Sequence, residues 1–370
     1  MIKICSPQLG LSPHSVLGGE IYDYQAIKGF VARGFEVFVY LPKGRDYDHS
    51  IKNLHVNRAP IKHVFPPIIY SFLCLPYLFR LYRKEKFDIL RIHSLRFLGV
   101  AAIIFKMFRP RVPILCSAVT VDKSFIYYPI EKYTLQIADK IIVQSNYMKD
   151  FLVNYYKVDA KKISVTYGGK IDSNIKWKNK PKEANFLKDN EPVMLFMGAL
   201  IKRKNPQFLI PLLAEVKKKI PKLKMVIIGD GELKTEMQRE LESRDLAENV
   251  LFINKAYGDE KAFWFSRMNV FVFPSLDEGF GLVVTEAMSF AKPVITSTSA
   301  AFREIIDPGE DGFTISLDQP NEWVKTVVSL IQSPTLTTKV GKRAQEKVNR
   351  AFSWERTYDL NKRVVEEMSR

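Results

Sequence analysis

Apolar and polar positions along this chain fall into short runs that alternate between two periods. IKIC (2–5), FEVFVYL (35–41), FDILRIH (87–93), VPILCSA (112–118), KIIVQS (140–145) and ISVTY (163–167) are rich in β-branched, aliphatic and aromatic residues. Runs of that length and composition predict buried strands. Helix-length stretches separate them, the first running to Arg33 with Gly34 as its C-terminal stop. The alternation restarts with PVMLFMG, KMVIIGDG, NVLFIN, VFVFPS and KPVITST, separated by stretches such as PQFLIPLLAEVKKK and ELKTEMQRELESR. Strands alternating with helices predict parallel sheets covered on both faces. The expected fold class is therefore α/β, with two doubly wound domains facing each other across a cleft.

Residues 170–192, KIDSNIKWKNKPKEANFLKDNEP, break the pattern: they are polar, rich in Lys and Asn, and contain two prolines. They read as a linker between a domain over 1–175 and a second over 190–352. The 370 residues suffice for two domains at roughly 150 residues each. The final helix signal, SWERTYDLNKRVVEEMSR (353–370), is expected to pack back on the first domain. No internal repeat or low-complexity tract stands out.

Charge separates the two halves. Net charge is +16, but residues 1–185 hold 29 Lys and Arg against 14 acids, and residues 186–370 hold 27 against 26. Part of the excess is solvated lysine, as in KNKPK; the rest points to an anionic partner of the first half, such as a membrane surface, an acidic glycolipid or nucleic acid. Two apolar segments, VFPPIIYSFLCLPYLF (64–79) and FLGVAAIIFKMF (97–108), lead into RLYRKEK and RPR. Each suits either an element lying in lipid headgroups or a core helix with a basic cap. No uncharged run reaches the roughly 18–20 residues that span a bilayer. MIKICSPQLG has no apolar signal-peptide core, and Cys5, Cys74 and Cys116 form no CxxC pair. These features predict a cytoplasmic protein with peripheral contact at the inner face of the cell membrane.

The most informative stretch is PSLDEGFGLVVTEAMSFAKP (274–293), where Glu278 and Glu286 are separated by seven residues. A strand signal, VFVFP, precedes the turn Gly279-Phe280-Gly281, and a helix signal opens at Leu282. A glycine turn entering a helix aims backbone N–H groups at an anion, backed by the helix dipole. Either acid taken alone reads as an ordinary loop or first-turn residue. Together they stand on both sides of an anion cradle, where each accepts hydrogen bonds from hydroxyls. A phosphate flanked by hydroxyls describes a nucleotide-sugar.

Three more glycine turns follow strand signals: Gly18-Gly19, Gly198, and Gly229-Asp230-Gly231. In open α/β sheets such turns surround the ligand. There is no GxxxxGK[ST] phosphate loop and no G-x-G-x-x-G in the βα turns, which argues against an NTPase or a dinucleotide enzyme. His14, His49, His55, His63 and His93 lack zinc-ligand spacing.

The second half resembles the retaining glycosyltransferases of family 4, through FMGALIKRKNPQFLI, VIIGDGELKTEM, the 274–293 block and REIIDPGEDGF. The first half is similar more loosely, through GGEIYDYQAIKGFVARGFEVFVY, DKIIVQSNYMKDFLV and VTYGGKID. The resemblance implies the GT-B architecture of two facing Rossmann-like domains and a nucleotide-diphosphate sugar as donor, with no cofactor and no metal. It implies that Glu278 contacts the transferred sugar, Glu286 the ribose, and Lys204 the diphosphate. The main chain at Gly279, Phe280, Gly281 and Leu282 would hold the diphosphate or sugar. Gly18 and Gly19 would approach it from the first domain, and Gly229, Gly231 and Lys255 would lie near the nucleotide. The family arginine after the FMG glycine is Ala199 here, so Arg203 is the candidate substitute. The family histidine after the VPIL strand is also missing, which leaves His93 as either a catalytic candidate or a structural histidine. Ala291 replaces a family glycine.

The reaction implied is retaining transfer of a hexose to a glycan or lipid-linked acceptor in cell-surface polysaccharide or lipopolysaccharide synthesis. A nucleotide-sugar epimerase would share the fold but need no acceptor. A non-enzymatic binder of anionic surfaces would rest on charge alone, and no nucleic-acid-binding motif supports it.

Overall fold

The computed structural model describes residues 1–15, 18–59, 69–119, 125–171, 177 and 180–369. The chain divides into two compact units, Met1–Gly168 with Trp354–Arg370, and Gly169–Ser353.

The first unit alternates β1 (Lys3–Pro7), α1 (Gly18–Ala32), β2 (Glu36–Leu41), β3 (Leu54–Arg58), α2 (Ile69–Glu85) and β4 (Ile89–Ile92). It continues through α3 (Leu95–Phe108), β5 (Ile114–Ala118), α4 (Tyr128–Ile137), β6 (Lys140–Val143), α5 (Asn146–Tyr156) and β7 (Ile163–Val165). Its seven strands lie in the order β3-β2-β1-β4-β5-β6-β7, with every pairing parallel. Gly34, at φ 86°, ends α1 in the left-handed region that glycine tolerates best. Ser145 caps α5 by accepting the Met148 N–H at 3.1 Å. Helices α2 to α5 cover one face of this sheet with a continuous apolar core.

The second unit holds β8 (Val193–Met197), α6 (Leu209–Lys219), β9 (Lys224–Ile228), α7 (Lys234–Ser243), β10 (Val250–Ile253) and α8 (Gly258–Arg267). It goes on with β11 (Val270–Phe273), α9 (Leu282–Ser289), β12 (Val294–Thr296), α10 (Phe302–Ile305), β13 (Phe313–Thr314), α11 (Pro320–Gln332) and α12 (Pro334–Ala351). Its six parallel strands run β10-β9-β8-β11-β12-β13. Both sheets reverse order once, between β1 and β4 and between β8 and β11, as doubly wound sheets do.

The expected linker needs correcting. Its described part belongs to the second unit: Trp177 packs edge-on against Phe263 at 5.1 Å, and Ala184 and Leu187 are buried. The apolar residues scattered through a Lys/Asn-rich segment give it a seat. Residues 172–176 and 178–179 of that segment, and 64–68 of the first apolar segment, lie outside the described residues.

The chain returns to the first unit through α13 (Trp354–Met368), which lies against α1. Tyr22 meets Trp354 with ring centroids 6.1 Å apart, and Arg33 pairs with Glu355 and Asp359 at 2.8 and 2.7 Å. The contact is close enough to need Gly29, where an added Cβ would lie 2.3 Å from the Tyr358 ring. Gly29→Val should therefore destabilise the first unit by about 2 kcal/mol through overpacking. A lower first transition in thermal unfolding, with the transition of the second unit unchanged, is the expected result.

Candidate active site

In the second unit, the crevice beyond the carboxyl ends of β8 and β11 lies at the point where strand order reverses. Two loops meet there. After β8 the chain makes a 3-10 turn at Lys202–Lys204, and Asn205 adopts φ 50°. After β11 it runs from Pro274 to Gly281 before α9 begins. The Arg203 carbonyl accepts the Leu276 N–H at 2.9 Å and the Ser275 hydroxyl at 3.1 Å, and the Arg203 guanidinium donates to the Asp277 carbonyl at 2.8 Å.

This stitching brings the Lys204 ammonium onto the Glu278 carboxylate. Glu278 is 7% exposed; its Oε1 also accepts from the Ser275 hydroxyl at 2.9 Å, and Arg203 stands 3.6 Å from Oε2. Burial pushes the Lys204 pKa below its ordinary value, and Arg203 adds to the shift while Glu278 opposes it. A poorly solvated cation with one protein carboxylate is a strong electrostatic partner for a further anion.

Gly281 caps α9 at φ 97°, and a Cβ there would lie 2.7 Å from Phe302. Gly279 and Phe280 lead into it, and Leu282 opens the helix. The Phe280 side chain is core, packed edge-on to Phe352 at 5.5 Å, so only its main chain is left for a ligand. Glu286, one turn further along α9, pairs with Lys261 of α8 at 2.6 Å, with side-chain exposures of 12% and 13%. Sequence reasoning missed Lys261. The only local signal is Phe265 four residues on, whose ring lies 5.8 Å from the ammonium.

Gly229 and Gly231 serve a packing need. A Cβ at Gly229 would lie 1.9 Å from the Gly198 carbonyl oxygen, and one at Gly231 would lie 2.5 Å from that of Leu200. Their smallness lets the loops after β8 and β9 lie against each other. Lys255, with Asn254, Phe252, Ile253, Glu183 and Glu260, lines a cavity of about 350 Å³ beyond β10.

The remaining candidate residues belong to the first unit. Gly18 and Gly19 open α1, and the Glu20 carboxylate next to them accepts the Ser12 N–H at 3.1 Å and the Ser15 hydroxyl at 2.7 Å. His93 follows β4. Its Nε2 lies 3.7 Å from Asp23, whose carboxylate is paired with the fully buried Arg91. Burial lowers the His93 pKa; Asp23 opposes that shift and Arg91 reinforces it. Among the described residues no three His, Cys, Asp or Glu side chains are grouped to hold a metal ion.

Comparison with known proteins settles the family. The profile of the glycosyl transferases group 1 matches residues 178–347, and that of Glycosyltransferase Family 4 matches residues 16–170. The chain is a glycosyltransferase, with a group 1 domain in its second half and a Family 4 domain in its first. An uncharacterized glycosyltransferase of Methanocaldococcus jannaschii is 29% identical over 238 residues, covering 64% of this chain and 62% of that protein. The capsular polysaccharide biosynthesis glycosyltransferase CapM of Staphylococcus aureus is 27% identical over 241 residues, 62% of either chain. This glycosyl transferase spans about half to two thirds of the length of the curated relatives it matches. In structure it is similar to sucrose-phosphate synthase from Thermosynechococcus elongatus (TM-score 0.83, 19% identity, 99% of both chains). It is also similar to Anabaena HepE in complex with UDP and glucose (TM-score 0.81, 18% identity, all of both chains). The fold is GT-B, with two Rossmann-like units.

The ion pair and His93 each lead to a measurement. Lys204→Met strands the Glu278 carboxylate in a buried position and should destabilise the second unit by about 3 kcal/mol. Adding Glu278→Gln should recover most of that loss in urea unfolding, because the uncompensated charge is then gone. For His93, the folded pKa lies below its unfolded value of about 6.5. The unfolded chain then takes up the proton first, so this contribution to stability is complete above that pH and falls as pH drops below it. Urea midpoints at pH 7.5 and 5 should differ less in His93→Gln than in the parent, by at most about 1.4 kcal/mol per pH unit.

Proposed function

We propose that this chain is a retaining hexosyltransferase. It moves a sugar from a nucleotide-diphosphate donor to a glycan or lipid-linked acceptor in cell-surface polysaccharide or lipopolysaccharide synthesis. The observation that carries the reading is the buried Lys204–Glu278 pair beside the glycine entry to α9, with Glu286 one turn beyond. The capsular polysaccharide relative and the UDP-bound structural neighbour agree with it.

In this reading the diphosphate sits between Lys204 and the amino end of α9, and Arg203 adds the positive charge that Ala199 does not supply. Glu278 accepts hydroxyl hydrogen bonds from the transferred sugar. Glu286, oriented by its ion pair with Lys261, accepts those of the ribose. Gly18 and Gly19 belong to the same donor reading in the first unit, and Lys255 stands near the base. The bond from the anomeric carbon to the leaving phosphate oxygen breaks while the acceptor hydroxyl oxygen bonds on the same face. The acceptor's proton passes to the departing phosphate, so no protein base is required. Lys204 and Arg203 stabilise the charge that develops on that phosphate, and such fixed electrostatic stabilisation dominates the rate enhancement of many enzymes. No cofactor or metal is assigned a role, and chelator should leave turnover unchanged. His93, beside Asp23 in the first unit, is assigned no step in this scheme. The three unpaired buried thiols, Cys5, Cys74 and Cys116, suit a reducing cytoplasm.

The test begins with a thermal-shift panel of UDP-, GDP- and ADP-sugars, because a ligand bound only by the folded state raises the melting temperature. Glu286→Ala should weaken donor binding roughly 10- to 100-fold. Lys261→Met should weaken it in the same direction, with partial rescue by Lys261→Arg. Glu278→Ala should lower kcat by roughly 100-fold with a smaller change in donor affinity. Unchanged transfer by Glu278→Ala would sink the site assignment. A new nucleotide-sugar formed from donor alone would make the enzyme an epimerase.

A further inference from the structure

Seven of the ten large apolar side chains exposed among the described residues lie on α2, α3, α4 or the turn entering α4. These helices pack side by side on one face of the first unit's sheet, with their inner sides filling its apolar core. Their amino ends are joined. The Ser71 hydroxyl of α2 bonds to the Phe97 carbonyl of α3, the Phe97 ring meets the Tyr127 ring edge-on at 6.2 Å, and Arg96 lies over Tyr127 at 4.6 Å. From this junction Phe72, Phe125 and Ile126 stand into solvent at 54%, 92% and 79% exposure. Met107 and Phe108 project at the far end of α3.

Cations outnumber acids around these side chains. The unit holds 28 Lys and Arg against 16 acids. Helices α2 to α4 carry six Lys and Arg and two acids, and both acids are engaged. Glu85 pairs with Lys3 and Lys84 at 3.1 Å, and Glu131 is buried under the Tyr156 hydroxyl at 2.6 Å and Arg96 at 3.2 Å.

We propose that the outer face of the α2–α4 layer docks on an anionic lipid bilayer. Phe72, Phe125 and Ile126 enter the boundary between headgroups and acyl chains, and the surrounding cations hold anionic headgroups. A nucleic acid would use the cations but leave the three apolar side chains in water. A second copy of this chain would bring two basic faces together. The bilayer satisfies both features. Docking places the carboxyl edge of the first unit's sheet, where open α/β sheets bind ligands, at the membrane surface, so the acceptor class this enzyme meets is a saccharide carried on a membrane lipid.

Flotation of the whole protein with vesicles tests the surface without any turnover. A failure here leaves the donor reading standing, and a failure of the donor panel leaves this surface standing. The protein should float with vesicles of phosphatidylcholine mixed with phosphatidylglycerol and stay behind with pure phosphatidylcholine. The triple variant Phe72→Ser, Phe125→Ser, Ile126→Ser should lower the partition coefficient roughly 100-fold or more, since each buried apolar side chain is worth about a factor of ten. Arg80→Glu with Arg83→Glu should also release it, and that pair leaves the apolar packing untouched if the triple variant folds poorly. Parent protein that stays behind with the mixed vesicles would overturn the proposal, as would variants that float like the parent. Sedimentation equilibrium showing a parent dimer that the triple variant loses would assign the face to a second copy instead.

Discussion

Two opposite charges held out of water beyond the ends of β8 and β11 constrain everything around them. Removing Lys204 and Glu278 from solvent costs several kcal/mol per ion, and their mutual attraction repays this only if the geometry is kept. The geometry is kept by main chain: the Arg203 carbonyl takes both the Leu276 N–H and the Ser275 hydroxyl, and Ser297 ties the Ser275 carbonyl to the end of β12. Gly229 and Gly231 then matter because the loop after β8 must lie against the loop after β9. A buried ion pair is a weak way to stabilise a fold, since apolar residues would serve as well. This one stands at the switch point of the sheet, where open α/β sheets bind their ligands.

The same physics decides how much could be read from the sequence. Strands of a parallel sheet are buried on both faces, so β8 and β11 show as unbroken apolar runs and β1, β2, β5, β6 and β9 as mostly apolar ones. Strand β3, LHVNR, lies at the sheet edge with three exposed or polar positions, and β13 has two residues; neither carries a readable pattern. The glycine turn before α9 was legible because Gly281 must take φ 97°. The lysine on Glu286 was not, because Lys261 arrives from another helix, 25 positions upstream in sequence. The polar segment 170–192 misled because composition averages over Trp177, Ala184 and Leu187, the few residues that pack.

The first unit's sheet places its buried polar side chains on one face, among aliphatic residues such as Ile4, Val39, Ile89 and Leu115. Along β1, Cys5 points into the apolar core while Ser6 belongs to the opposite face, and the same alternation holds for Leu90 against Arg91 and Cys116 against Ser117. Arg91 bonds to Ser6 and Asp23 there, Tyr22 reaches Thr166 at 2.8 Å, and α13 adds buried Thr357 and Asn361. His93, one position past β4 and in register with Arg91, falls on this face. Its low pKa is a consequence of that setting and requires no catalytic role.

Apolar residues are buried on both faces of the sheet, and the larger continuous cluster lies under α2 to α5. The supply exceeds the space. Among the fourteen residues of α3 only Arg96 and Lys106 are charged; Leu98, Ala101, Ala102 and Phe105 fill the core, and Met107 and Phe108 are left outside it. Neighbouring α2 and the turn entering α4 add to the surplus with exposed Phe72, Phe125 and Ile126 near their amino ends. Ordinary soluble surfaces scatter such side chains singly. Here they cluster on a face where cations outnumber acids six to two along α2 to α4, and a basic surface that exposes aromatic rings is matched by an anionic apolar phase.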